Sequence, residues 1–335
     1  MKKAALLVAV GAIALMLVGC GSKSKTDTKP EAAPSTVKVQ AGVNDPKDRN
    51  IAVLAFLPAA VTVKTGATVT WTAPGPEPHT VTFLPLGQTP PTPDNPANAA
   101  LRAKSTTGAY DGTQTFSSTI IPTGQTPESY SVSFPKAGTF IYNCIIHPGM
   151  TGTVKVVDDA TAAEGQSAIN KRAIVEEQKW LAEGRAAKKT FDAAPVQKTA
   201  NADGSTTWTL QMGASTQHTE ILAFQPASAD IKAGDKVTFI NNSSAPHTAS
   251  FAGTKTLPVN PESPEAMAPA PGKSPQTLNA TDLFNSGLLP PNVPPGAGPP
   301  EAARSFTFAV PTAGNYTYVC LFHSPSGMGG TIKAT

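Results

Sequence analysis

The chain uses one pattern twice, and this limits its possible folds more than any other feature. Leu54-Ala-Phe-Leu-Pro58 recurs as Leu222-Ala-Phe-Gln-Pro226, and from there the two halves share one register at an offset of 168 residues. Gly66 matches Gly234, Val69 matches Val237, Trp71 matches Phe239, Phe83 matches Phe251, Phe116 matches Phe284 and Pro122 matches Pro290. The second copy then gains eight residues within the proline-rich segment 291–300, so that Cys144 matches Cys320 at an offset of 176. A chain built this way folds as two related units.

Each copy reads as β structure. Short runs of alternating apolar residues at 60–64, 67–72, 80–84, 130–134, 139–144 and 151–157 are bounded by glycine and proline, as strands are. With 27 Gly, 33 Pro and only 15% charged residues in 335, the chain suits strands and long loops and is long enough for two cores. Gly66 and Gly234 sit in apparent tight turns. The expected class is all-β: two sandwiches at 36–157 and 196–335, joined by a helical connector at 158–195. In the connector, Thr161 and Glu164 have capping-box spacing, and Ile169, Ala173, Ile174, Trp180 and Leu181 recur at helical intervals. Trp180 is expected to pack against a sandwich, and Gly184 to end or bend the helix. The insertions 85–115 and 257–283 carry proline at a density that opposes helix and sheet. They are expected to be either a partner-facing lid or solvated loops.

The N-terminus carries processing information. Lys2-Lys3 precedes an apolar run, 4–18, too short to span a bilayer. Leu17-Val18-Gly19-Cys20 resembles a bacterial lipobox, which implies a signal peptide at 1–19 and a lipid anchor on Cys20. Segment 20–35 lacks an apolar period and reads as a flexible tether. Export removes Lys2 and Lys3, so the formal charge of +3 leaves no large basic field, and no nucleic-acid partner is expected. The expected location is the bacterial envelope, outside the cytoplasm and anchored to the membrane. Only Cys144 and Cys320 then remain in the exported chain, and in an oxidising compartment two cysteines can form a disulfide. Each, however, heads its own CxxH with a methionine just beyond, a pattern a disulfide does not need.

The methionine follows as Cys144-Ile-Ile-His147-Pro-Gly-Met150 and Cys320-Leu-Phe-His323-Ser-Pro-Ser-Gly-Met328. An upstream histidine completes each set, His79 and His247, both within Pro-His-Thr. Two imidazoles and a thiolate with a weak methionine thioether suit copper and describe a type 1, or blue, electron-transfer site. The predicted metal ligands are therefore His79, Cys144, His147 and Met150 in one copy and His247, Cys320, His323 and Met328 in the other.

On these motifs, residues 36–157 and 204–335 resemble cupredoxin domains of the plastocyanin and azurin type. The spacing of Cys320, His323 and Met328 is similar to that in plastocyanin and pseudoazurin, and the shorter loop of Cys144, His147 and Met150 to that in amicyanin. The resemblance implies Greek-key sandwiches, histidines binding through Nδ1, and segments 75–78 and 243–246 on an exposed edge. Thr80 and Thr248 stand where such proteins often carry asparagine, and the differing loops suggest non-equivalent coppers.

Three functions can use these residues. An electron carrier needs redox protein partners, two type 1 coppers and no small-molecule substrate. An enzyme needs more histidines, but the chain has five, the two sites use four, and no His-x-His or His-Cys-His occurs. That excludes a trinuclear cluster and argues against a nitrite reductase-like subunit, which would depend on His218 alone. His218, whose counterpart is Asn50, reads as a strand-start histidine. The alternative is copper storage or delivery, which favours exposed ligands that release metal easily.

Overall fold

The computed structural model describes residues 32–91, 96–103, 105–121, 129–261, 263–269, 276–292 and 300–335. The signal peptide and Cys20 lie outside them, as does most of the tether. Among the described residues no helix is long and apolar enough to cross a membrane.

Each half is a two-sheet sandwich around an aromatic core. In the first half, β1 (Thr36–Asn44) lies between β2 (Ile51–Leu57) and Thr68–Thr72, while Gly138–Asn143 and Thr151–Val157 belong to the opposite, five-stranded sheet. Trp71 is fully buried, with its ring 5.7 Å from that of Phe83 and 5.0 Å from that of Tyr142, both nearly edge-on. The second half repeats the plan with Phe239 in the Trp71 position, 4.9 Å from Tyr318. Alternation buries one face of each strand: in Gly138–Asn143, Phe140 and Tyr142 point inward and Ile141 outward. The strand expected at 80–84 shrinks to Thr82–Phe83, because residues 79–81 are held by the loop at 118–121.

The sequence does not announce how the halves meet. Strand β2 pairs antiparallel with Thr219–Gln225, joining one sheet of each half into a single eleven-stranded sheet. Ile51 faces Ile221, Ala52 faces Glu220 and Val53 faces Thr219. Ile51 and Thr219 occupy the same place in their copies, as do Val53 and Ile221, so the pairing maps onto itself through a pseudo-twofold at Ala52 and Glu220. The flanking bonds repeat it: Leu54 N–H donates to the His218 carbonyl at 2.8 Å and Leu222 N–H to the Asn50 carbonyl at 2.7 Å. The contact has the self-complementary form of a symmetric dimer interface, built within one chain. It also consumes two strand edges that would otherwise template aggregation.

Of the two longer helices, α1 (Pro96–Ala103) belongs to the first insertion and α2 (Gln166–Asp192) lies across the seam. Leu181 packs on Val53, Ala55 and Leu57 of one half, whereas Phe191 packs on Ile51 and Ile221, one from each half. Gly184 does not end the helix, which runs on for two further turns. A β-carbon there would stand 2.5 Å from Ile51 Cγ2 and 3.3 Å from Thr219 Cγ2, so the glycine lets the helix rest on the two equivalent seam residues. Gly184→Val is expected to destabilise the protein by about 2–3 kcal/mol through overpacking, read as a lower denaturant midpoint.

The expected capping box does not form. Gly165 is the N-cap and offers no side chain, and Glu164 instead accepts from Thr62 N–H at 2.7 Å and binds Arg172 through both oxygens. Trp180 does pack, with its ring stacked on His218 at 3.6 Å and 13°. At the other end of the seam, Arg185 grips the buried Asp45 carboxylate at 2.6 and 3.0 Å and holds its pKa below the ordinary range. That stabilisation is present above the usual aspartate pKa and is lost as pH falls through the lowered one.

Candidate metal centres

The histidines and cysteine of each predicted set come together. His79, Cys144 and His147 form one buried group and His247, Cys320 and His323 another, with the ligand atoms of each within 4.8 Å of one another. In the first, Cys144 Sγ lies 4.0 Å from His79 Nδ1 and 3.4 Å from His147 Nδ1. In the second, Cys320 Sγ is 3.7 Å from His247 Nδ1 and 3.3 Å from His323 Nδ1, and the two Nδ1 atoms are 3.1 Å apart. Nitrogen and sulfur donors at about 2.0–2.3 Å from a first-row ion, spread in a plane around it, stand about 3.4–3.7 Å apart. The donor sets fit two copper ions, one per half. Met150 and Met328 are buried in the same clusters, and their carbonyls accept from Cys144 N–H and Cys320 N–H at 2.9 and 3.0 Å, closing each loop. Both cysteines are free, so the disulfide alternative fails.

Local structure explains the arrangement. Gly138–Asn143 delivers Cys144 just past its end, and the bridge between His79 and Ile121 places the distant histidine; His247 and Leu289 repeat this. Gly42, at a bulge in β1 with φ of 67°, lets the His79 ring approach the backbone: a β-carbon there would lie 2.1 Å from Nε2. Gly213 plays the same part for His247 at 2.7 Å. Neither glycine stood out in the sequence, although both lie in the strand before the repeated Leu-Ala-Phe.

Thr80 and Thr248 replace the family's asparagine without loss of the sulfur contact. Their N–H groups donate to Cys144 Sγ and Cys320 Sγ at 3.3 and 3.4 Å, and their hydroxyls accept from Ile145 and Leu321 N–H at 2.8 and 2.9 Å. Each threonine thus ties the upstream histidine strand to the cysteine loop. The first insertion contributes as well. Its helix α1 carries Asn98, fully buried, whose amide donates to the Ile145 carbonyl at 2.6 Å, beside the metal loop. In the second insertion Ala266 is fully buried and its carbonyl accepts from Asn285 at 2.7 Å. Asn98 and Ala266 thus anchor the described parts of the two insertions, while most of their other described residues are exposed.

The edge expected to be exposed is half-buried. Across 75–78 and 243–246 no residue is fully exposed, Glu77, Ser243 and Ala245 are buried, and His147 and His323 are 7% and 5% accessible. The surroundings of the two centres differ. Around the first, burial pushes His79 down to about 3 and, with the charges on His79 and His323, holds His147 well below the ordinary range; burial raises Cys144. Around the second stand two carboxylates. Glu77 Oε2 lies 3.5 Å from His323 Nε2, and Glu220 Oε1 lies 3.9 Å from His247 Nε2, which meets Ser243 Oγ at 2.8 Å. Burial opposes a charge on His323, but Glu77 and Cys320 outweigh it and raise that ring to about 9. Burial also opposes the Cys320 thiolate, yet His323 and His247 together bring its pKa well below the usual value. The surroundings of the second centre thus favour charged forms of its cysteine and histidines, whereas burial around the first disfavours them.

Comparison with known proteins agrees with this geometry. Plastocyanin from Scenedesmus fuscus is 32% identical over 111 residues, covering 33% of this chain and 85% of that protein. Chloroplastic plastocyanin from Tetradesmus obliquus is 33% identical over 111 residues, covering 33% of this chain and 57% of that one. Among solved structures, a reduced mutant form of amicyanin aligns at 23% identity over 38% of this chain and 87% of that one, with a TM-score of 0.25. The model of copper binding proteins of the plastocyanin/azurin family matches twice, at 43–157 and 210–335. Each half carries that family's pattern, and the chain belongs to the plastocyanin/azurin family of copper-binding proteins.

Proposed function

We propose that this protein carries single electrons between redox partner proteins outside the cytoplasm, with one type 1 copper in each half and a lipid on Cys20 as its anchor. The observation that carries the reading is the pair of buried thiolate–imidazole sets, each closed by a methionine loop. Copper in such a set cycles between Cu(I) and Cu(II) without a substrate. The residues serve that chemistry by staying still. Thr80 and Thr248 fix the sulfur, the bridges at Ile121 and Leu289 fix the upstream histidines, and the flanking sheets hold both in place before metal arrives. This burial argues against storage or delivery, where ligands must open to release copper. Among the described residues the metal-binding groups of His, Cys, Asp and Glu are these two, and His218 stacks on Trp180 away from either set, which supports a carrier over an enzyme.

Copper-loaded protein is expected to be intensely blue from thiolate-to-Cu(II) charge transfer and to bleach reversibly on taking up one electron per copper. A colourless Cu(II) form would overturn the electron-carrier reading. The anchor rests on Leu17-Val18-Gly19-Cys20. Wild-type protein is expected to partition with membranes and Cys20→Ser to be released; a variant that still sediments with membranes would contradict a lipid on that sulfur.

A further inference from the structure

Glu77 belongs to the first half by sequence but to the second centre by contact. It is 3% accessible, its Oε1 accepts from Ser326 Oγ at 2.7 Å, and its Oε2 stands 3.5 Å from Nε2 of His323. Ser326 lies in the short helical turn Ser324–Ser326, which the shorter first loop, His147-Pro-Gly-Met150, lacks. A second residue of the first half holds the same turn: Asn50 Nδ2 donates to the Ser326 carbonyl at 3.1 Å and to the Leu222 carbonyl at 2.6 Å. The contact is one-sided. The counterpart of Glu77 in the repeat is Ala245, so the first centre receives no such carboxylate. Two residues after Glu77 comes His79, a donor of the first centre.

We propose that Glu77 is a positioning residue for the second metal centre, reaching it across the seam. Its carboxylate fixes the ring of His323 with Nδ1 toward the metal, and its main chain continues through Pro78 to His79. A carboxylate behind a ligating histidine sets ring orientation and donor strength. The second centre is then complete only when the first half is docked against it, and the two additional residues of its loop exist to receive Glu77.

The inference rests on the copper reading of the centres and is tested in the full chain. With the first centre silenced by Cys144→Ser, Glu77→Ala is expected to weaken copper binding at the second centre about 10- to 100-fold, and to shift its visible band and its Cu(II) electron-spin spectrum. With the second silenced by Cys320→Ser, Glu77→Ala is expected to leave the affinity and spectrum of the first unchanged. Glu77→Gln, which keeps the length and can still meet Ser326, is expected to restore most of the affinity. Should Glu77→Ala fail to fold, Ser326→Ala offers a milder form and is expected to shift the same spectrum. An unaltered second centre in Glu77→Ala, or equal losses at both centres, would overturn the proposal. An unmodified chain that binds no copper would overturn the reading beneath it instead.

Discussion

Replacing Cys320 by serine is expected to erase the blue absorption of the second centre, halve the copper content and leave the first centre's absorption standing; Cys144→Ser is expected to do the converse. The thiolate is both the strong ligand and the source of the colour, and a serine hydroxyl stays protonated where a thiol ionises. The effect stays local because each donor set belongs to its own core. Cys144 packs with Trp71, Phe83 and Tyr142, and Cys320 packs with Phe239, Phe251 and Tyr318. Serine is close to cysteine in size, so neither sandwich loses packing volume. Copper analysis and absorption spectra of the two variants check this directly. Loss of both colours from one substitution would mean that the halves do not hold their metals separately.

Ile221→Asp is expected to cost about 4 kcal/mol or more, the largest stability effect of a single change at the seam. Ile221 is fully buried, pairs with Ile51 across the join and lies under Phe191 of α2. The substitution removes buried methyl groups and places a carboxylate where Ile51, Phe191 and neighbouring alanines offer no partner. Burial raises the folded pKa of such a carboxyl, so the penalty is largest near neutral pH. It shrinks below about pH 4, where the group is neutral in both states. Denaturant titration at both pH values checks the size and the sign. Because β2, Thr219–Gln225 and α2 meet at this point, the two halves are expected to unfold in separate transitions in this variant.

The sequence made the ligands legible because they are local. Cys144, His147 and Met150 fall within one loop, and the repeat pointed to the distant His79 by giving it a twin in His247. The sandwich class was legible for the same reason, since alternation along strands such as Gly138–Asn143 is a short-range signal. What the sequence withheld is long-range. Strand β2 was not among the runs read as strands, and nothing in its seven residues says that its free edge pairs with its own duplicate. Gly184 looked like a helix stop because a glycine's use for close approach shows only when Ile51 is beneath it. Glu77 looked like one acid in a proline-rich edge, since the residue that gives it meaning, Ser326, is in the other half. The difference in loop length was visible from the start, and its physical sense emerged from what the longer loop touches.

One chain is expected to hold two separate, non-equivalent thiolate copper sites. The measurement that bears on this most directly is a copper count on the fully loaded protein together with its Cu(II) electron-spin spectrum. Two coppers per chain are expected, as two overlapping signals that both have the narrow hyperfine splitting of a covalent Cu(II)–thiolate bond. One copper per chain, or a signal with the broad splitting of copper held by nitrogen and oxygen alone, would contradict it.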